Sequence, residues 1–274
     1  MKSKKIKSLL YYLLSLFLFL AFVFPFIIII INSFKDNLSV VRNPLALPEV
    51  LSFSNYTQAF SAMNFISALK NSLIVTIGSS LLIIVFSSML AYFLVRWKWK
   101  INRFIFLLLV MSMIIPFQSL MIPFVSIYGR LGLLDSKYVL MFYYLGFGLS
   151  LATFIYHGFI KNIPFELEEA AIIDGASRLQ VFWKVIFPIL KPITSTVLIL
   201  DVLWIWNDFL LPSLVLVSAD ERTIPLSTFS FFGTYTNNYG LAMAGLVLAI
   251  IPIIIFFLIL QKHIVRGVVE GAIK

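Results

Sequence analysis

Long apolar runs, separated by shorter polar segments, dominate the pattern of the chain. An α-helix needs about 20 apolar residues to cross a bilayer. Six runs approach or exceed that length, at residues 9–32, 71–95, 104–128, 138–158, 193–216 and 240–261. Prolines lie inside or near the ends of several runs, and because neighbouring helices can satisfy the backbone groups that a proline frees, kinks are predicted there rather than breaks. The pattern predicts an all-α polytopic membrane protein, a single transmembrane domain over residues 1–274.

Composition supports the membrane interpretation and excludes some chemistry. The chain is 61% hydrophobic and only 12% charged, whereas a soluble domain is nearer half apolar and a quarter charged. It has no cysteine, which excludes disulfides, thiolate metal sites and a cysteine nucleophile. The two histidines, His157 and His263, are far apart in sequence and have no ligand cluster, so no metal site is predicted.

The basic residues predict an orientation. With the N-terminus in the cytoplasm, fifteen Lys and Arg residues fall on the inside and six on the outside. This excess favours a multi-pass protein of the cell membrane with both termini cytoplasmic. Because the basic residues are dispersed and fall mostly at the ends of apolar segments, the net charge of +9 indicates topology rather than nucleic-acid binding.

The predicted cytoplasmic loop, residues 159–192, concentrates acidic residues. Four of the twelve carboxylates of the chain lie within nine residues of it, at Glu166, Glu168, Glu169 and Asp174. Pro164 is suited to the first helical position and the acids to the first turn. Leu167, Ala170, Ala171 and Asp174 then share one predicted face.

Gly175 is predicted to cap that helix, and Ser177 with Gln180 fits a capping box that opens a second one. The loop is therefore predicted as two short helices at an angle. From the residues alone, two interpretations stay open. Either the small and acidic residues present a surface to a partner protein, or the loop is an amphipathic element that lies on the bilayer.

The loop also carries a resemblance. Glu169-Ala170-Ala171, then Gly175, then Val185, Phe187 and Pro188 is similar to the cytoplasmic-loop signature of permeases of ABC importers. Trp206-Asn207-Asp208-Phe209 and the tail Gln261-Lys262-His263 with Arg266-Gly267 and Gly271-Ala272 resemble the carbohydrate branch of that family, of the maltose and multiple-sugar type. Val185 and Phe187 stand where the family more often has Ile and Leu. The resemblance covers essentially the whole chain.

The resemblance implies a bacterial permease subunit that moves a sugar or an oligosaccharide into the cytoplasm. It implies a homologous second permease, two ATPase subunits and an extracytoplasmic solute-binding protein as partners. The coupling role in that family is carried to Glu169, Ala170, Ala171, Asp174 and Gly175, which would dock on the ATPase. No phosphate-binding loop motif occurs in this sequence, so ATP and Mg²⁺ are expected on the partner and no cofactor on this chain.

Polar residues inside the predicted fifth span suggest a transport route. Asp201, Trp204 and Asp208 have the spacing of one helical face, with Trp206 and Asn207 beside it. An intramembrane carboxylate normally faces the bundle interior or a wet cavity. Asn207, Asp208, Trp206 and, beside Pro116, Gln118 are therefore candidates for the translocation pathway. The alternative is that Asn207 and Asp208 hold helices together or cap a kink before Pro212. Asp201 is assigned to packing or pore electrostatics.

Three rival functions stay open at this stage. One is an importer for another solute, such as a polyol or a glycerol-phosphate ester, although no Lys or Arg lies at the centre of a span to attract an anion. Another is an ion-coupled secondary transporter that uses Asp201 and Asp208 as a proton relay, which would leave the acidic loop unexplained. The last is a structural or receptor membrane protein.

Overall fold

The structure, a computed structural model, describes the backbone of residues 2–231 and 238–272 and the side chains of residues 8–231 and 238–258. The regular elements of these ranges are helices, as the hydropathy pattern predicts. The tail residues 261–272 that contribute to the family resemblance lie in a helix, but their side chains are outside the described part of the chain.

Four described helices are long and apolar enough to cross a membrane. They are α1 (Lys2–Ser33), α4 (Phe65–Arg96), α7 (Lys137–Ile160) and α14 (Tyr239–Ala272). They correspond to the first, second, fourth and sixth predicted spans. The second begins at Phe65, earlier than the predicted boundary at residue 71, because the polar residues of its first turns do not interrupt the helix.

The segment predicted as the third span, 104–128, is not one continuous helix. It consists of α5 (Lys100–Ser112) and α6 (Met121–Arg130), with a 3₁₀ turn at Phe117–Ser119 between them. Pro116 lies directly before that turn. Proline lacks an N–H and disfavours the helical conformation of the preceding residue, so the kink predicted at this position is in fact a break.

The segment predicted as the fifth span, 193–216, is also divided. Helix α11 (Lys191–Asn207) ends before Asp208, whose backbone is extended, and α12 (Leu210–Val215) follows. Helix α11 is long and apolar enough to cross a membrane only together with the preceding segment Arg178–Ile189. The two segments are bent from each other by 78°. By length and composition, the described residues thus contain four spanning helices, or five with this bent pair.

The chain divides into two compact units. The first comprises residues 1–65 and 227–254. It contains α1, α2 (Asn37–Arg42), α3 (Ser54–Ala62) and part of α14. Lys35, although only 5% exposed, is satisfied because its Nζ donates to Asn32 Oδ1 and to the carbonyl of Asn43.

The second unit comprises residues 66–226 and 255–274 and holds the larger apolar core. Helices α4, α7 and α11 approach closely at Gly148 of α7. A Cβ at this position would lie 2.5 Å from Ile83 Cδ1 of α4 and 3.3 Å from the Trp204 ring of α11. A side chain at this position would therefore require Ile83 to move, and glycine allows the three helices to pack closely here.

A polar contact joins the α6–α7 connection to the segment after α12. Asp135 Oδ1 accepts hydrogen bonds from the backbone N–H groups of Val217 (2.8 Å) and Ser218 (2.7 Å), and Oδ2 accepts from the Ser218 hydroxyl. The hydrogen bonds from the Ser218 side chain and backbone lower the pKa of Asp135. Three donors that favour the carboxylate form fix this connection within the second unit.

Candidate functional sites

The acidic loop folds as the sequence predicts, into two short helical segments. Helix α8 covers Glu166–Ile173, and α9 (Arg178–Val181) continues through a π-helical turn, Phe182–Ile186, into α10 (Phe187–Ile189). Pro164 lies outside α8 rather than at its first position, because the chain between Lys161 and Phe165 remains in turns. The predicted start of this helix is therefore too early.

The turn between α8 and α9 has the capping contacts that the sequence predicts. Gly175 has a φ of +87°, which glycine adopts without the penalty of a Cβ. Its N–H donates to the carbonyl of Ile172, and the N–H of Ala176 donates to that of Ala171, which is the Schellman arrangement. Ser177 and Gln180 form the reciprocal capping box. The angle between the two segments is thus set by local hydrogen bonds.

The faces of α8 match the prediction in part. Glu166, Glu169, Ala170 and Ile173, at i, i+3, i+4 and i+7, are exposed, whereas Ala171 and Ile172 are partly buried and pack on the core. Leu167 and Asp174 are exposed together with Ala170, so three of the four residues of the predicted common face are accessible, whereas Ala171 contacts its own chain. The buried side of the helix is formed by Glu168, with the partly buried Ala171 and Ile172 beside it, and an apolar pattern does not predict a buried carboxylate there. Asp174 and Gly175 are exposed at the C-terminal end.

Glu168 is fully buried, and both oxygens of its carboxylate have partners. Oε1 lies 2.5 Å from Arg96 Nε, and Oε2 accepts a hydrogen bond of 2.7 Å from the Tyr92 hydroxyl. Arg96 also donates from Nη2 to the carbonyl of Ile163. We call Tyr92, Arg96 and Glu168 the α8 latch. Sequence reasoning missed it, although Tyr92 and Arg96 stand at i and i+4 at the end of a span, where a shared polar face could have been noticed.

The second helical segment rests on the same end of α4. The Arg178 guanidinium lies 5.8 Å from the centre of the Trp97 ring, and the rings of Phe182 and Tyr92 are 5.4 Å apart. A guanidinium over an indole is a favourable cation–π contact. Both segments of the loop are thus attached to residues 92–97.

Asp208 occupies the break after α11. Its Oδ1 accepts a 2.9 Å hydrogen bond from the N–H of Leu210, the first residue of α12, and its Oδ2 accepts one of 2.9 Å from the Tyr144 hydroxyl. Tyr144 also packs edge-to-face on Trp204. Because α11 ends at Asn207, Asp208 does not continue the predicted stripe of Asp201 and Trp204. These contacts favour the helix-capping alternative for Asp208, and its place in a pathway stays a prediction.

The other polar candidates of the fifth segment differ in exposure. Asn207 is exposed, and its Nδ2 donates to the carbonyl of Leu203 at 2.7 Å. Trp206 is only 6% exposed, so its indole belongs to the interior of the chain. Asp201 is 5% exposed, and its Oδ2 has no hydrogen-bond partner among the described residues. Asn207 alone of these three presents a polar surface.

Gln118 is exposed in the 3₁₀ turn between α5 and α6. A cavity of about 520 Å³ adjoins this turn. Its polar groups include the hydroxyls of Ser112 and Ser150, which are 2.8 Å apart. Its apolar walls include six aromatic rings, those of Phe117, Phe124, Tyr128, Phe142, Tyr143 and Phe147. Hydroxyls together with ring faces suit a solute with both polar and apolar faces.

The two breaks lie beside the same turn of α7. Phe117, in the first break, packs against Phe147 with ring centres 5.0 Å apart, and Asp208, in the second, bonds to Tyr144. Tyr144 and Phe147 are three residues apart on one helix. The non-helical backbone of both segments therefore lies beside the middle of α7.

His157 has a packing role. Its ring stacks on Phe106 with centres 3.9 Å apart. In the part of the chain that the structure describes, no cluster of His, Cys, Asp or Glu side chains could hold a metal ion. His263 lies outside the described side chains.

A helical membrane chain with an acidic two-helix loop of this form is what the resemblance to importer permeases predicts. Residues 83–270 match the family described as the binding-protein-dependent transport system inner membrane component, and the chain belongs to that family. This confirms the family inferred from the loop signature. The chain is therefore a transport subunit and not an enzyme, because the ATPase of this family is a separate subunit.

Curated relatives match along nearly the whole chain. One is a probable starch degradation products transport system permease protein, AmyC of Thermoanaerobacterium thermosulfurigenes, 44% identical over the full length of both chains. The multiple sugar-binding transport system permease protein MsmG of Streptococcus mutans is 36% identical over 91% of each chain. The melibiose/raffinose/stachyose import permease protein MelC of Bacillus subtilis is 35% identical, also over 91% of each.

A solved structure shares the fold. One chain of a bacterial ABC transporter involved in the import of the acidic polysaccharide alginate superposes with a TM-score of 0.79, over 96% of this chain and 98% of that one. The sequence identity is 22%, so the likeness concerns the fold. It confirms the all-α architecture of an ABC permease.

Proposed function

We propose that this permease imports a sugar or an oligosaccharide, as one of two homologous permeases in a complex with two ATPase subunits and an extracytoplasmic binding protein. The 44% identity to AmyC over the full length of both chains is the observation that carries the substrate class. The names of MsmG and MelC point to sugars as well. The rival polyol or glycerol-phosphate ester has no comparable support among these relatives.

The exposed face of α8 is the proposed dock for an ATPase subunit. Glu169, Ala170 and Asp174 present charge and a small side chain, and beside them Ile173 is 84% exposed. An exposed aliphatic residue among acids is suited to a partner cleft with an apolar floor and a basic rim. Gly175 sets the turn and Ala171 seats the helix on its own chain. ATP and Mg²⁺ belong to the partner.

The proposed orientation follows from the basic residues. Fifteen of the twenty-one Lys and Arg residues lie on the side of the acidic loop when both termini are cytoplasmic. This arrangement brings the exposed face of α8 to the compartment that holds ATP. The loop can then take up the motion of the ATPase and switch the permeases between inward-facing and outward-facing states.

The two helix breaks are the proposed lining of the sugar route. Non-helical backbone at membrane depth is tolerated only where protein covers it or water reaches it, and discontinuous helices often form the binding site of a transporter. Gln118 and Asn207 expose amides at these breaks, and Asp208 lies beside them. Trp206, which is buried, supports the second break rather than contacting the solute.

The function is tested by reconstituting the chain with its partner permease, ATPase and binding protein in vesicles. Sugar uptake should require ATP and the binding protein and should persist when an uncoupler collapses the ion gradients. Uptake that stops with the uncoupler while ATP is present would instead establish the ion-coupled alternative.

The route is tested in the same vesicles with Gln118→Ala and Asn207→Ala. Both variants should assemble normally and change the rate or sugar preference of uptake per complex. Ser126→Ala, which alters an exposed hydroxyl on α6, is the control. If both amide variants transport several sugars as the parent chain does, neither residue lines the route.

A further inference from the structure

We propose that Glu168 is a positioning residue that couples α8 mechanically to α4 through Arg96 and Tyr92. The inference rests on the proposed docking role of the exposed face of α8. In this arrangement, a force on that face displaces the end of α4 together with α8. Without the latch, the same force would rotate α8 against the core, and the motion would not reach α4.

The burial of α8 shows why one side chain matters so much. Helix α8 has eight residues, and Glu168 is the buried residue among them. Isolated helices shorter than about 12 residues are marginal in water, so the orientation of α8 depends on its tertiary contacts. Its apolar contacts are limited, since Ala171 and Ile172 are only partly buried.

The geometry of the latch is directional. Each carboxylate oxygen of Glu168 has its own donor, one on Arg96 and one on Tyr92, and Arg96 also holds the carbonyl of Ile163 just before α8. The guanidinium further lies 5.7 Å from the centre of the Phe165 ring. Arg96 thus contacts the loop at three points, which restricts rotation of α8 as well as its translation.

A buried ion pair is weak evidence for stability alone. A well-packed apolar substitute is often as stable, because the pair must repay the desolvation of two charges. An apolar contact at this position, however, would allow α8 to rotate about its axis. Charge-assisted hydrogen bonds fix both the distance and the angle between α8 and the end of α4. This favours a role in transmitting motion.

The decisive experiment measures sugar molecules imported per ATP hydrolysed in the reconstituted complex. Glu168→Gln retains the shape of the side chain and removes its charge, and Tyr92→Phe removes one donor. Both should assemble and hydrolyse ATP while the ratio falls, by about fivefold or more for Glu168→Gln and by less for Tyr92→Phe. The control is Glu221→Gln, which alters another ion pair of the chain, the partly exposed Lys137–Glu221 pair (2.9 Å), away from the loop and should leave the ratio unchanged.

A double variant and the yield of assembled complex decide the remaining outcomes. If Arg96 and Glu168 act as one unit, the double variant Arg96→Gln with Glu168→Gln should be no worse in this ratio than Glu168→Gln. If Glu168→Gln only lowers the yield of complex and the ratio per complex stays normal, the latch is structural and the proposal is wrong. Should Glu168→Gln fail to assemble, the ratio measured with Tyr92→Phe decides in the same way.

The proposal that α8 docks on the ATPase and the proposal of the α8 latch can be tested separately. Glu169→Lys reverses a charge on the exposed face of α8 and should abolish stimulated ATPase activity if this face docks on the ATPase. A normal Glu169→Lys complex would remove the docking proposal itself. An inactive Glu169→Lys complex beside a normal ratio in Glu168→Gln and Tyr92→Phe would overturn only the latch.

Discussion

The Tyr144 hydroxyl donates a 2.9 Å hydrogen bond to Asp208 Oδ2 and so ties the middle of α7 to the break after α11. The other oxygen of Asp208 accepts from the backbone N–H of Leu210 at the start of α12. One carboxylate thereby satisfies a helix start and a buried phenol. Its contacts explain how a helix can be interrupted inside an apolar segment.

Replacement of Asp208 by Asn should destabilise this junction. An amide can accept from Tyr144 or from Leu210 with its one oxygen, but its nitrogen then faces the other donor. Loss of a hydrogen bond to a charged group costs about 1.5–3 kcal/mol. We expect a lower yield and a lower unfolding temperature of the assembled complex for Asp208→Asn, measured by tryptophan fluorescence and size-exclusion chromatography.

Tyr144→Phe provides the partner test. It removes one of the two donors to Asp208, so its effect should overlap with that of Asp208→Asn, and the double variant should be less destabilised than the sum of the two. Additive effects would mean that the pair is not a unit. An altered sugar profile per assembled Asp208→Asn complex, with stability unchanged, would instead place Asp208 in the transport route.

The sequence predicts the local features of the loop better than its tertiary contacts. Gly175 and the Ser177–Gln180 box depend on neighbours within a few residues, so their roles are visible in the sequence. The partner of Glu168 is Arg96, 72 positions away, and the partner of Asp208 is Tyr144, 64 positions away. No local pattern specifies such pairs, so hydropathy extended the fifth span past Asp208 and the sequence did not predict the burial of Glu168.

The break in the predicted third span shows a related limit of prediction from hydropathy. Pro116 marks the position of the interruption, but hydropathy cannot distinguish a kinked helix from two helices joined by a turn. Whether the helix kinks or breaks depends on whether neighbouring groups form hydrogen bonds with the backbone groups that the proline leaves unpaired. In the structure the turn closes on itself, since the N–H of Ser119 bonds to the carbonyl of Pro116, and the aromatic contact of Phe117 with Phe147 fixes it against α7.

Substitutions at Gly175 should separate backbone strain from side-chain bulk. A Cβ at Gly175 would meet no atom within 4 Å, yet the φ of +87° is unfavourable for an L-residue, by about 1–2 kcal/mol. Gly175→Asn should retain most stimulated ATPase activity because Asn tolerates this region best. Gly175→Val should lose much of that activity, and Gly175→Pro should lose it entirely, since proline fixes φ near −65°.

Gly158→Ala is the matched control, because Gly158 is helical, exposed and likewise free of atoms near a Cβ. It should retain full activity. If Gly175→Val and Gly175→Pro couple ATP hydrolysis to uptake as well as Gly158→Ala does, the turn geometry is not needed for coupling.

Asp135 should give the second unit a pH-dependent contribution to stability. Hydrogen bonds lower its pKa in the folded chain below the unfolded value of about 3.9. A depressed folded pKa contributes stability that is present above the unfolded value and is lost as pH falls through the folded one. Asp135→Asn should therefore lower the unfolding temperature at pH 7, and the difference from the parent chain should narrow below about pH 4.

The comparison for Asp135 is Glu49→Gln, which alters an exposed carboxylate in the other unit. Its unfolding temperature should follow that of the parent chain at each pH. A constant difference between Asp135→Asn and the parent chain from pH 7 down to about pH 3 would show that the Ser218 contact does not depend on the ionised carboxylate.

The orientation can be read by single-cysteine labelling, because the chain has no native cysteine. Leu45→Cys and Val217→Cys lie at positions 64% and 69% exposed in segments placed outside, and an impermeant thiol reagent should label both in intact cells. Lys98→Cys and Lys161→Cys are also at exposed positions, but in segments placed inside, and should react only after the cells are opened. Because all four sites are exposed in the fold, a difference in labelling reports the membrane barrier rather than burial. Labelling of position 161 in intact cells would place the acidic loop outside, and α8 could then not meet an ATP-hydrolysing partner.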